Sequence, residues 1–119
     1  MIEQLISRVF QARDIAHRAH WKTKSYAQHV ALGEFYDGVI GDIDALVECY
    51  QGQFGLVGTF GVSVPSIGNT DFTQYLQGEA DWIEQNCDAI AKESVPVENL
   101  IASLLETYNV TLYKLNNLS

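Results

Sequence analysis

The sequence is short of cysteine, proline and positive charge. Its two cysteines, Cys49 and Cys87, lie far apart and fit no spacing of metal-binding thiolates, so we interpret them as buried, reduced thiols of a cytoplasmic protein. Only two prolines occur in 119 residues, which leaves most of the chain free to form helices. The chain has seven Lys and Arg residues but fifteen Asp and Glu residues. We therefore expect no binding to nucleic acid or to an anionic membrane, because both need clustered basic side chains.

Long hydrophobic runs are also missing. No apolar stretch approaches the roughly 20 residues that cross a bilayer. The first residues, MIEQLISRVFQARD, mix charged and apolar side chains, unlike a signal peptide. Hydrophobic residues make up 47% of the chain, enough for one core in a chain too short for two. We predict a single cytoplasmic domain over residues 1–119, whose acidity either collects cations or simply maintains solubility.

Hydrophobic periodicity predicts four helices, over residues 2–22, 27–51, 70–92 and 97–117. Ser25 and Gln28 resemble a capping box at the start of the second helix. In this motif each of the two side chains accepts a hydrogen bond from the backbone N–H of the other residue. Asn69 or Thr70 is expected to open the third helix, and Pro96 suits the start of the fourth. The predicted core positions are Ile2, Leu5, Ile6, Val9, Ala12, Ala16, Ala19, Leu32, Phe35, Val39, Ile43, Leu46, Tyr50, Phe72, Tyr75, Leu76, Ala80, Ile83, Cys87, Ile90, Ala91, Val97, Leu100, Ile101, Leu104, Leu105, Tyr108, Leu112 and Leu115.

Residues 52–69 break this pattern, because glycines alternate with apolar side chains. We interpret the segment as a long crossover with room for one short helical turn. A connection of this length allows the second and third helices to run parallel. The predicted fold class is therefore all-α, a four-helix bundle with a long crossover between helices 2 and 3.

Candidate metal ligands lie on the first two helices. His20 falls in register with the apolar face of helix 1 and His17 lies at the edge of that face, where a histidine either packs or binds a metal. On helix 2, Asp37, Asp44 and Glu48 fall within about 40° of one another at 3.6 residues per turn. They form either a ligand set or a solvated face. Glycines 33, 38 and 41 in the same helix predict close approach of another helix.

These features together resemble the Dps-like mini-ferritins, a branch of the ferritin-like proteins. The resemblance rests on His20-Trp21 at the end of helix 1 and on the run from Gly33 to Asp37 in helix 2, which is similar to an HExxD motif. The crossover and the last two helices, Asp71–Ile90 and Glu98–Leu118, are similarly placed. The resemblance implies a ferritin-like fold and a homo-oligomer, a dodecamer in that family. It also implies an iron-oxidising site between two subunits.

Carried onto this sequence, the family's ligands match His20, Asp37 and Glu48. Two ligand positions differ, since glycine stands at 33 in place of histidine and at 52 in place of glutamate. His29, one helical turn before Gly33, or His17 would substitute, and Asp44 would add a carboxylate. Imidazole and carboxylate suit ferrous iron, so the resemblance implies iron binding. It leaves open whether this protein also acts as a ferroxidase.

Two alternatives remain at this point. The first is a ferritin-like structural or assembly protein that keeps the fold and has lost the metal site, which the two glycines favour. The second is a bundle that binds a small molecule or a protein partner through its apolar crossover.

Overall fold

The computed structural model describes residues 1–63 and 66–119, and these form four helices with no strand. The helices are α1 (Ile2–Lys22), α2 (Tyr26–Phe54), α3 (Phe72–Ala91) and α4 (Val95–Asn117). The predicted all-α four-helix architecture is confirmed. Within the described part of the chain, none of the helices is both long and apolar enough to span a membrane.

Each helix packs against two neighbours, so that α1 and α4 each contact α2 and α3. The contacts between α2 and α4 join the start of one helix to the end of the other, as between Glu34 and Lys114 and between Gln53 and Ser94. These two helices are therefore antiparallel. Short connections make the α1–α2 and α3–α4 pairs antiparallel as well. It follows that α2 and α3 run parallel, an arrangement that the long connection between them allows.

The start of α2 shows how its cap differs from a simple capping box. Ser25 accepts the predicted hydrogen bond from the backbone N–H of Gln28, at 3.2 Å. Gln28 does not reach back to the Ser25 backbone. Instead the Ser25 N–H donates to Thr23 Oγ1 at 3.2 Å, and that hydroxyl donates to Gln28 Oε1 at 3.1 Å. The helix continues through Gly52 and stops before Gly55, whose φ of 96° is left-handed.

The ends of α3 and α4 correct the sequence-based boundaries. Asp71 caps α3, in place of Asn69 or Thr70, by accepting from the backbone N–H of Gln74 at 3.4 Å. Ser94 caps α4, two residues earlier than expected, and Pro96 lies at the second helical position, where it has no helical hydrogen bond to lose.

The core lies between all four helices and follows the predicted faces. Of the predicted positions, six are only partly buried: Ala19, Phe72, Tyr75, Cys87, Leu100 and Leu105. The helical pattern missed Ile15, Ala31 and Thr111, which are buried. Both cysteines are free thiols, as predicted, but they are only partly buried and not buried as expected. The largest fully buried side chain is Tyr108, and its ring meets that of Phe35 edge-on at 5.0 Å between centroids.

The crossover runs from the end of α2 to the start of α3 along α1. Glu3 Oε2 accepts from the backbone N–H of Gly58 at 3.0 Å, and Ser7 Oγ donates to the carbonyl of Gly61 at 3.0 Å. No helical turn forms in its described part, residues 55–63 and 66–71, and the predicted crossover also includes residues 64 and 65, which lie outside the described residues. Its side chains are mostly exposed, with Leu56 at 87%.

Candidate functional site

His20 at the end of α1 and His29 in the first turns of α2 form a reciprocal pair. His20 Nδ1 donates to the carbonyl of His29 at 2.6 Å, and His29 Nδ1 donates to the carbonyl of His20 at 2.9 Å. The two rings stack with centroids 3.6 Å apart and planes inclined by 19°. The carbonyl of His20 lies in the last turn of α1, where it has no partner within the helix. This pair therefore closes the α1–α2 connection from both sides.

The hydrogen bonds fix which nitrogen of each neutral ring carries the proton. A carbonyl oxygen can only accept, so both Nδ1 atoms must be the donors. Each neutral imidazole then keeps its lone pair on Nε2. Metal-binding histidines have this arrangement, with one nitrogen held by a carbonyl or carboxylate and the other facing the ion.

Gly33 makes room for the His20 ring on α2. A Cβ built at Gly33 would lie 3.4 Å from His20 Cε1 and 3.5 Å from its Nδ1. A larger side chain at this position would displace the ring from the carbonyl that it bonds. Gly38 has a similar but looser neighbour in Thr107, whereas Gly41 has no atom within 4 Å. The expectation of close helix approach thus holds at two of the three glycines and is wrong at Gly41.

Stacking prevents His20 and His29 from binding one ion together in this conformation. The lone pair of an imidazole nitrogen lies in the plane of its ring. The planes of two rings 3.6 Å apart and inclined by 19° meet roughly 10 Å away, whereas a metal lies about 2 Å from a ligating nitrogen. Each histidine can therefore offer Nε2 only to a separate ion.

Aromatic rings extend the histidine pair along α1. His17 stacks on Tyr36 with ring centroids 4.0 Å apart and also contacts Trp21 at 4.6 Å. The His20 ring meets Tyr36 edge-on at 5.3 Å. Trp21 itself is 69% exposed. The third candidate histidine is thus held by ring packing, next to a large exposed aromatic surface.

The predicted acidic ligands all lie on the exposed side of α2. Asp37, Asp44 and Glu48 are exposed, and among the residues that the structure describes they form no ion pair. Asp42, which the helical wheel did not single out, instead accepts from Thr107 Oγ1 at 2.5 Å. Within residues 1–63 and 66–119, no group of three or more His, Cys, Asp or Glu is placed to hold a metal ion. The histidines therefore come together, but a complete ligand set does not form within one chain.

A second polar cluster, between α1 and α3, escaped the sequence analysis. Arg8 Nη1 donates to Glu79 Oε2 at 2.7 Å, and the guanidinium lies 4.4 Å from the ring centroid of Trp82. Burial raises the pKa of Glu79, and the positive charge of Arg8 opposes that rise. The hydroxyl of Tyr75 is buried and has no hydrogen-bond partner among the described residues. Its burial raises the pKa of Tyr75, and the negative charge of Glu79 raises it further. Helical periodicity cannot reveal this pairing, because Arg8 and Glu79 lie 71 residues apart.

The structure thus defines an all-α four-helix bundle whose first helix pair is closed by two stacked histidines. A family of unknown function, DUF5856, matches residues 20–115, and the chain belongs to that family. The matched range includes both histidines of the pair, the crossover and most of α4. No curated protein and no solved structure matches the chain.

Proposed function

We propose that this protein is a ferritin-like bundle that assembles with copies of itself and binds ferrous iron on the surface of its first helix pair. The observation that carries the proposal is the orientation of His20. Its Nδ1 is tied to the carbonyl of His29, so its Nε2 keeps a lone pair that a metal ion can use.

Three carboxylates on α2 are available as further ligands. Asp37, Asp44 and Glu48 are exposed and lack ion pairs among the described residues, so binding a cation would break no existing interaction. They follow one another along α2, the helix against which His20 packs. Imidazole and carboxylate together suit ferrous iron.

An ion held between two copies of the chain would gain the ligands that a single copy does not bring together. One copy would offer His20, and carboxylates from the α2 surface of a second copy would complete the coordination. Oxidation of iron is a further step that requires two ions close together with open coordination positions. The proposal is therefore binding and storage of iron in a homo-oligomer, with a dodecamer as the assembly suggested by the mini-ferritin resemblance.

A structural role without metal is the second candidate, and the stacked geometry of His20 and His29 favours it. Two reciprocal hydrogen bonds and a ring stack fasten α1 to α2 whether or not a metal is bound. In that case the bundle would assemble through the same surfaces and would leave iron in solution.

Anaerobic ferrous titration of protein of known particle mass tests the two candidates. We expect a homo-oligomer that binds iron, with binding lost in His20→Gln and weakened at least ten-fold in Asp37→Asn. Glu84→Gln is the matched control, because it removes an exposed carboxylate from α3. Oxygen or peroxide added afterwards reports whether bound iron is oxidised.

Two outcomes contradict the proposal. An assembled wild-type protein that binds no iron would support the structural role. Iron binding that survives His20→Gln would place the ion elsewhere in the molecule. Circular dichroism of each variant shows whether the helices remain intact.

A further inference from the structure

A cavity of about 360 Å³ opens at the end of the bundle where α1 ends and α3 begins. All four helices line it, together with residues 66–68 and 70 of the crossover. Its volume falls within the range of small-molecule sites. At about 30 Å³ for each water-sized volume, it holds roughly a dozen non-hydrogen atoms.

One wall of this cavity is apolar, whereas most of the remaining lining is polar or charged and includes Gln28 and Thr73. The apolar wall is built by Ile15 and Ala19 of α1, Leu32 of α2, Phe72 of α3 and Leu115 of α4. Ile15, Leu32 and Leu115 are buried parts of the core region. Water at this wall would lack hydrogen-bond partners, so a hydrocarbon group is the favoured occupant.

The α1 side of the opening is positively charged. Arg18 and Lys22 both line the cavity. Lys22 is exposed and forms no ion pair among the residues described, and Arg18 Nε lies 3.6 Å from Asp14 Oδ2. The α3 side carries Asp71, whose carboxylate already accepts the N-capping hydrogen bond of α3. A negative group on a ligand would therefore lie on the α1 side.

The distribution of charge along the chain also favours a negative group on the α1 side of the cavity. The protein has a net charge of −8 and only seven Lys and Arg. Four of those seven, Arg13, Arg18, Lys22 and Lys24, fall within residues 13–24, which form the second half of α1 and the start of the turn after it. This stretch is consequently the most basic part of an otherwise acidic chain, which favours an anionic ligand beside it.

We infer that this cavity binds a small amphipathic carboxylate, with its hydrocarbon part against the apolar wall and its carboxylate at Lys22. The combination of an apolar wall with a positive charge at one side of the opening is what such a molecule requires. This inference does not depend on metal binding, since the cavity contains neither His20 nor the acidic residues of α2 that were proposed as ligands.

Calorimetric titration of the full chain with octanoate tests the inference, with 1-octanol and acetate as the comparison probes. We expect saturable binding of one octanoate per chain. The uncharged 1-octanol should bind at least ten-fold more weakly, and acetate, which lacks the hydrocarbon part, should show no saturable binding. Equal affinity for octanoate and 1-octanol, or no octanoate binding by the wild type, would overturn the inference.

Two lysine variants then locate the bound carboxylate. Lys22→Glu should weaken octanoate binding at least ten-fold. Lys24→Glu changes the net charge by the same amount but lies outside the cavity, so it should weaken binding no more than three-fold. Equal losses in the two variants would mean that overall charge, and not this cavity, governs binding.

A third variant, Ala19→Phe, places a ring in the cavity and should abolish octanoate binding while far-ultraviolet circular dichroism still shows the helices. Retained binding by a folded Ala19→Phe protein would exclude this cavity. If that variant does not fold, the comparison of Lys22→Glu with Lys24→Glu decides the question alone.

Discussion

Replacing Arg8 by methionine removes the positive charge beside Glu79 and keeps much of the length of the side chain. The two side chains meet at 2.7 Å, and the Glu79 side chain is only 13% exposed. After the substitution, the Glu79 carboxylate would remain in a poorly hydrated position without its counter-charge. The Arg8 contact with the Trp82 ring, at 4.4 Å, would be lost as well.

The expected loss of stability lies between two known limits. Exposed ion pairs contribute about 0–1 kcal/mol, whereas removing one partner of a fully buried pair costs about 3–5 kcal/mol. With one partner mostly buried and the other 39% exposed, we expect about 2 kcal/mol from the charge by interpolation between those limits. Loss of the cation–π contact adds about 0.5–1 kcal/mol. The Arg8→Met protein should therefore unfold about 2–3 kcal/mol more easily than the wild type at pH 7.

The pH dependence separates these two contributions. Burial raises the pKa of Glu79 in the folded protein above its ordinary value, so the folded state holds the proton to higher pH than the unfolded state. Glu79 thus favours folding at low pH, and this contribution is lost as the pH rises through its folded pKa. Removing Arg8 raises that pKa further. We therefore expect the loss in Arg8→Met to shrink at pH 4 towards the cation–π contribution of about 0.5–1 kcal/mol.

Urea unfolding at pH 4 and pH 7 measures both values. Glu79→Gln is the matched control, because it removes the buried charge but keeps an acceptor for Arg8, and it should lie within about 1 kcal/mol of the wild type at pH 7. The double variant should recover most of the stability lost in Arg8→Met. An equal loss in Arg8→Met at both pH values would refute the reasoning.

Two further predictions concern the backbone. Gly78→Ala should raise the free energy of unfolding by about 1 kcal/mol, because no atom lies within 4 Å of the added Cβ. Gly33→Leu should instead lower the free energy of unfolding, because the larger side chain displaces the His20 ring. If both variants were more stable than the wild type, the His20 ring would not be held in place by its hydrogen bond. Glu93 has a left-handed φ of 68°, so Glu93→Gly should stabilise the α3–α4 turn by about 0.5–1 kcal/mol, net of the extra freedom of glycine in the unfolded chain. Thermal unfolding checks both predictions, and an unchanged or lower midpoint for Glu93→Gly would exclude backbone strain at that turn.

The four helices could be predicted because burial repeats with the helical period. Phe35, Val39, Ile43 and Leu46 recur at three- and four-residue spacing, and all four are fully buried. Helix ends were predicted less well, because neighbouring polar residues compete to cap them. Asp71 caps α3 although two residues just before it also have suitable side chains.

The candidate site was only partly predictable, because it depends on contacts between helices. From the sequence, His20 was predicted at the end of α1 and His29 was proposed as a substitute ligand. The two rings stack on each other in the structure. Their reciprocal bonds to backbone carbonyls could not be foreseen, since they depend on how far apart α1 and α2 pack. Gly33, which the sequence presents as a missing ligand, makes that packing possible.

The crossover has a consequence for how the chain folds. The α1–α2 and α3–α4 pairs are helical hairpins joined by short turns, so each can form through contacts that are local in sequence. Residues 55–71 then need only bring the two hairpins together, and the entropy of closing such a loop changes slowly with its length. Doubling the crossover would cost about 0.6 kcal/mol. The exposed crossover is therefore suited to accept inserted sequence, such as a fluorescent tag or an additional domain, provided that the hydrogen bond of Gly58 to Glu3 is kept.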